Sequence, residues 1–225
     1  MVKVWLGNIA PLLESSKLKH YYHQLPDHRR EKADRQRVPL KKAQSVGAWV
    51  LWSNIKEQYG LGDESVYNLS HSGDFVLCAA LTNEEAGGQT KGSQKGPGSY
   101  SFEGTKLGCD IEKIREVKES LPKRFFTLSE RVGIEQESTK KRQREMFFRL
   151  WVLKESYMKA TGQGMKLDMR SFEIQLGDLG PRVKQPRGTS PCYHLHELPI
   201  PSPEYLAAVC TTSEDVDIKV HEFVF

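Results

Sequence analysis

Hydrophobic and polar positions alternate in VKVWLGNI, close to the start of the chain, and predict a strand there. A helix is expected over about Leu12 to Tyr22 and another through the basic segment that follows. QSVGAWVLWSNIKEQYG predicts a third, because Val46, Val50, Leu51 and Ile55 recur at helical spacing. VYNLSH and DFVLCAALT flank an HSGD turn and read as two strands. KLGCDIEKI resumes the strand pattern, with a short helix expected near Ile114 to Ser120. The strongest helical pattern runs from about Lys140 to Thr161 and stops at Gly162 and Gly164. SFEIQL, CYHLHEL, YLAAVCTT and IKVHEFVF complete the strand candidates.

Helices and strands interleave without a regular βαβ rhythm, which predicts an α+β fold with mainly antiparallel pairing. FVLCAALT in the first half echoes YLAAVCTT in the second and suggests two similar lobes. The division falls after a Gly/Ser-rich stretch, about 83-105, that lacks aliphatic residues and reads as a mobile loop. The expected lobes are therefore 1-105 and 106-225.

Composition changes this picture little: 38% hydrophobic and 28% charged over 225 residues is ordinary for a globular chain. No stretch approaches the roughly 20 apolar residues of a membrane helix, and MVKVWLGNIAPLLESSK is not a secretory leader. Cys78, Cys109, Cys192 and Cys210 are scattered, so a reducing cytoplasm is expected. The net charge is only +4, yet it is unevenly spread. Arg29, Arg30, Lys32, Arg35, Arg37, Lys41 and Lys42 form one basic run, and Lys140, Lys141, Arg142 and Arg144 another. Such runs are ordinarily solvated helix faces; the sharper alternative is a site for phosphates or for an acidic protein.

Three patterns carry candidate chemistry. Asp110 and Glu112 are two apart on a strand, so both carboxylates project to one face while Cys109 and Ile111 enter the core. Like charges so placed are best tolerated around a cation, although a lone DxE is more often plain surface. In WVLKESYMK, Trp151, Glu155 and Lys159 make one helical stripe, which is either a functional pair beside an indole or an ordinary i,i+4 pair. In NLSHSGDF, Ser70, His71 and Ser72 stand where a strand meets a Gly turn, a corner suited to phosphate or to simple turn stabilisation.

Taken in order, SHSGD, GCDIEKI, FF…SE and the basic helix with WVLKESYMKATGQG resemble the 4'-phosphopantetheinyl transferases, and most of all the single-chain, surfactin-synthetase-activating (Sfp-type) members. The resemblance covers most of the chain, from Arg30-Glu31-Lys32 to YLAAVC. It implies that family's fold, two similar α+β lobes related by a pseudo-two-fold, and a monomer. It also implies an enzyme that moves the phosphopantetheine arm of coenzyme A, its co-substrate, to a serine of an acidic apo carrier protein. By motif, Asp110, Glu112 and Glu155 would bind Mg2+, with Mn2+ as an alternative. Lys159 resembles the lysine on the coenzyme A phosphates, and Lys154 one near the pyrophosphate. Ser70 and His71 match a pair at the adenosine 3'-phosphate, near which Arg29, Lys32 and Lys42 also fall. Glu130 matches an acid proposed to help deprotonate the acceptor serine, so the implied catalytic set is Glu155, Lys159 and Glu130.

The sequence departs from the family in two places. IKEQYGLGDESVYNLSH lacks the usual Gly-Lys-Pro segment, and the stretch between Thr82 and Lys106 is long. Two other readings compete. A magnesium-dependent nuclease is disfavoured by the ExxxK spacing of Glu155 and Lys159 and by little aromatic interleaving among the basic residues. A non-catalytic carrier-protein binder is disfavoured because Asp110, Glu112, Glu155 and Lys159 are all intact.

Overall fold

The structure, a computed structural model, describes residues 1–82, 104–184 and 191–225. In chain order the elements are β1 (Val2–Asn8), α1 (Ser15–His23), α2 (Asp27–Asp34), α3 (Pro39–Gln58), β2 (Tyr67–Ser72) and β3 (Phe75–Leu81). They continue with β4 (Leu107–Lys113), α4 (Ser120–Phe125), α5 (Leu128–Glu135), α6 (Lys140–Thr161), β5 (Glu173–Gly177), β6 (Gly180–Lys184), β7 (His194–Glu197), β8 (Tyr205–Thr211) and β9 (Val216–Phe223). The fold is α+β. The stretch expected as a loop, about 83-105, lies outside the described residues except for its last two positions.

Strand alternation builds the layers. In β3, Val76, Cys78 and Ala80 pack beneath α3 with Trp5, Leu51 and Trp52, while Leu77, Ala79 and Leu81 point the other way. There they meet Leu107, Cys109 and Ile111 of β4 and Ala207 and Val209 of β8. On the far side of that second sheet, Ala208 and Cys210 pack with Phe147, Leu150, Leu153 and Tyr157 of α6. Two sheets thus pack face to face with a long helix outside each.

The sequence echo has a topological counterpart. The first sheet runs β2-β3-β1-β9 and the second β4-β8-β7, so β2-β3-β1 mirrors β7-β8-β4, with antiparallel neighbours in both. β9 breaks the simple division at 105 and 106. It joins the first sheet and pairs in parallel with β1, Val4 against Val220 and Gly7 against Phe223.

Two local expectations are corrected. The helix expected near Ile114 to Ser120 is not formed; the Ile114 amide instead donates to the Glu204 carbonyl at 2.7 Å, and Ile114 and Val117 pack against the α6 core. The helix begins only at Ser120, where that contact ends. The first helix is shorter than expected, because a 3-10 turn over Ala10–Leu13 buries Leu12 before α1 starts.

Candidate active site

β4 supplies the acids. Its odd residues enter the core between the sheets, so Asp110 and Glu112 face α6, as alternation predicts. Gly108 sets how closely α6 approaches. A Cβ there would stand 2.2 Å from the Ser156 carbonyl oxygen and 2.4 Å from the Ala160 nitrogen. Only a glycine lets the helix lie so near the strand, and that brings Glu155 and Lys159 to the carboxylates. At its C-terminal end α6 stops at Gly162, whose φ of 72° is the left-handed cap.

Ser70, His71, Asp110, Glu112, Glu155 and Lys159 line one cleft of about 290 Å³, with Trp151 and Leu69 as apolar wall. Trp151 is fixed by Phe147, stacked at 5.7 Å between centroids, and by Phe125 edge-on at 5.1 Å. Lys159 turns to β4: its Nζ donates to Asp110 Oδ1 at 2.8 Å and to the Cys109 carbonyl at 2.9 Å. Burial works against that ammonium, but Asp110, Cys109 and Glu155 outweigh it and raise its pKa. Burial raises the Asp110 carboxyl, opposed by Lys159 and Ser70. Burial and then the charge of Asp110 raise Glu155.

Asp110 Oδ1 also accepts from Ser70 Oγ at 2.7 Å, whereas Oδ2 is buried with no partner. A buried carboxylate oxygen left unpaired beside two further carboxylates fits an oxygen-seeking divalent cation such as Mg2+. Among the described residues no three His, Cys, Asp or Glu side chains already stand as a closed cage. Repulsion spreads the acids, and the positive charge at Asp110 is that of Lys159.

The basic residues divide. His71 is exposed at the cleft; lost hydration, then the charges of Lys41, Lys159 and Lys32, hold its imidazole below its usual pKa. Lys42 points elsewhere, pairing with Asp34 at 2.8 Å above the Tyr22 ring. Arg29 stacks on Trp49, 4.1 Å from its ring centroid. Lys42, named from the sequence, is held by Asp34, while the charge of its neighbour Lys41 bears on the histidine. Adjacent helical residues point about 100° apart, and charge alone cannot say which faces inward.

Two other residues named from the sequence lie outside the cleft lining. Lys154 and Glu130 are buried at 0% and 4% exposure and pair with each other at 2.9 Å, away from the cleft. Lys154 Nζ also donates to the Met169 and Phe172 carbonyls, and Glu130 accepts from the Thr127 and Ile174 amides, completing a capping box at α5. The three Nζ donors of Lys154 and both carboxylate oxygens of Glu130 are thus engaged within the fold. On α6, Lys154 lies between the apolar Leu153 and the cleft-facing Glu155, about 100° from each.

Comparison with known proteins agrees with the motif order. The family model of the 4'-phosphopantetheinyl transferase superfamily matches residues 106–210, which hold β4, α6 and the whole acid-lysine cluster. Over that segment the chain is similar to the 4'-phosphopantetheinyl transferase superfamily. The 4'-phosphopantetheinyl transferase Sfp of Bacillus subtilis is 31% identical over 151 residues, 66% of this chain and 56% of that protein. The phosphopantetheinyl transferase HetI of Nostoc is 32% identical over 146 residues, 64% of this chain and 50% of that one. This chain thus spans little more than half the length of these curated relatives. A holo-(acyl-carrier-protein) synthase from Bacillus anthracis, solved in complex with CoA (3',5'-ADP), is 25% identical over 47% of this chain and 93% of that one, with a TM-score of 0.40. The superfamily match ends at Cys210, so β9 lies beyond it.

Proposed function

We propose that this chain transfers the 4'-phosphopantetheine arm of coenzyme A to a serine of an apo carrier protein and releases 3',5'-ADP. The observation that carries the reading is the single cleft in which Asp110, Glu112 and Glu155 face Lys159 and the exposed His71. Carboxylates for a cation and bases for phosphates in one place suit attack on a pyrophosphate, where positioning and charge neutralisation dominate. Lys159 holds a full positive charge at the cleft and neutralises oxygen charge that builds as the bond to 3',5'-ADP breaks. His71, Lys32 and Lys41 form the anion-binding side and orient the nucleotide end. Trp151 covers the apolar wall and restricts water. Asp110, Glu112 and Glu155 would hold Mg2+, which supplies Lewis-acid stabilisation of phosphoryl oxygen; Mn2+ suits the same oxygen donors. The attacking hydroxyl belongs to the carrier, and carriers with acidic surroundings suit the basic runs around the site. One chain supplies both flanks of the cleft, β2 from one sheet and β4 with α6 from the other, which supports action as a monomer.

The test is to incubate the protein with coenzyme A, Mg2+ and a panel of apo carriers, and to weigh the carriers intact. Gain of one phosphopantetheine, lost with EDTA, supports the reading. No gain on any carrier despite tight coenzyme A binding would turn it toward a binding protein, and no coenzyme A binding would sink it.

A further inference from the structure

β2 and β4 lie side by side but share no backbone ladder. Side chains of β2 take its place. Asn68 Oδ1 accepts from the Cys109 amide at 3.0 Å, Ser70 Oγ from the Ile111 amide at 3.4 Å, and Ser72 Oγ from the Lys113 amide at 3.0 Å. Each serine then donates onward to the acid between those amides. Ser70 Oγ reaches Asp110 Oδ1 at 2.7 Å, and Ser72 Oγ reaches Glu112 Oε2 at 2.7 Å. Both serines are buried, at 7% and 6% exposure. A hydroxyl has one proton to give. Each hydroxyl accepts one backbone N–H and gives its proton to the carboxylate oxygen beside it.

We infer that Ser72, working in parallel with Ser70, is a positioning residue that holds Glu112 for a divalent cation and so ties the cation site of one sheet to the strand that presents His71 in the other. The inference rests on the proposed function only for the identity of the site. Alternation supports it: Ser70 and Ser72 face β4 while His71, between them, faces the basic side chains. Among the described residues Glu112 also has an ionic partner, the exposed Arg115 at 3.1 Å, on the same Oε2 atom. Ser72 is the buried and shorter contact, so it decides where the carboxylate stands. Hydrogen-bonding partners of metal-ligating groups typically alter metal affinity by about 10–100-fold when removed.

The test measures Mn2+ binding to the whole chain by the loss of the free-ion electron paramagnetic resonance signal, and coenzyme A binding in EDTA by calorimetry. S72A is expected to weaken Mn2+ about tenfold and to leave metal-free coenzyme A affinity within about twofold. In an E112Q background S72A should weaken Mn2+ no further, because the carboxylate through which it acts is gone. S72C, with a weak donor of similar size, is read in the same way and covers the case in which S72A fails to fold. Unchanged Mn2+ affinity in a folded Ser72 variant, or the same loss in the E112Q background, overturns the inference and leaves the proposed function standing. Wild-type protein that holds no Mn2+ overturns both.

Discussion

At the scale of single residues, the cleft is governed by the cost of holding charge out of water. Asp110 is at 5% exposure and tolerates it through Ser70 and Lys159, with one oxygen left for a further partner. Asp110→Asn keeps the shape and removes the charge, so carrier labelling should fall by a factor on the order of 100 to 1000 with the thermal midpoint little changed. Labelling rates with differential scanning calorimetry check both parts. Glu130 and Lys154 represent the opposite case, a fully satisfied buried pair. Lys154→Met strands the Glu130 carboxylate and should lower stability by about 3–5 kcal/mol, read from urea unfolding. His71 gives the pH signature. Its folded-state pKa lies below the unfolded one, so its contribution to stability is present above the unfolded value and is lost as pH falls through the folded one. A bound phosphate opposes the lysines that depress it. The imidazole titration followed by NMR should therefore move upward when 3',5'-ADP is added, and an unmoved midpoint would remove His71 from the anion site.

At the scale of elements, the long patterns were legible and the contact-dependent ones were not. β1, α3, β2, β3, β4 and α6 follow from periodicity and punctuation, and the Asp110 and Glu112 face from strand alternation alone. The helix expected near Ile114 failed because a partner distant in sequence, Glu204, captured the backbone first. α5 and β6 went unforeseen: α5 has only eight residues, and Gly180 and Pro181 at the start of β6 read as a turn. The pairing of Glu130 with Lys154 was not legible for a related reason, since burial of a charged side chain depends on partners that no local pattern reveals. Gly108 shows how one small residue sets an element's position. Gly108→Ala should push α6 from β4, lower stability by about 1–3 kcal/mol and separate Lys159 from Asp110. Thermal unfolding and the metal-free coenzyme A affinity would both register the shift.

At the scale of the whole molecule, two sheets in mirrored order meet at their inner faces, and the proposed site lies where β2 of one runs beside β4 of the other. The lobes are not separable units of stability, because β9 belongs to the first sheet although its sequence follows the second. Val216 and Val220 pack against the shared core, and Phe223 and Phe225 against the α3 side. Deleting residues 214–225 should therefore destabilise both lobes together. Hydrogen exchange would show amides of β1 and β4 losing protection alike, and loss confined to β1 would contradict a single cooperative unit.

The return of β9 also orders events in time. During synthesis β1 leaves the ribosome well before its parallel partner β9, which follows all the other described elements. Until then one edge of β1 carries unpaired amides and carbonyls beside Val4, Trp5 and Leu6, an open template for pairing with another chain. Contacts so distant in sequence form slowly. The edge of β1 thus stays open to misassembly until β9 is made, and the pairing of β9 is the step that closes the first sheet.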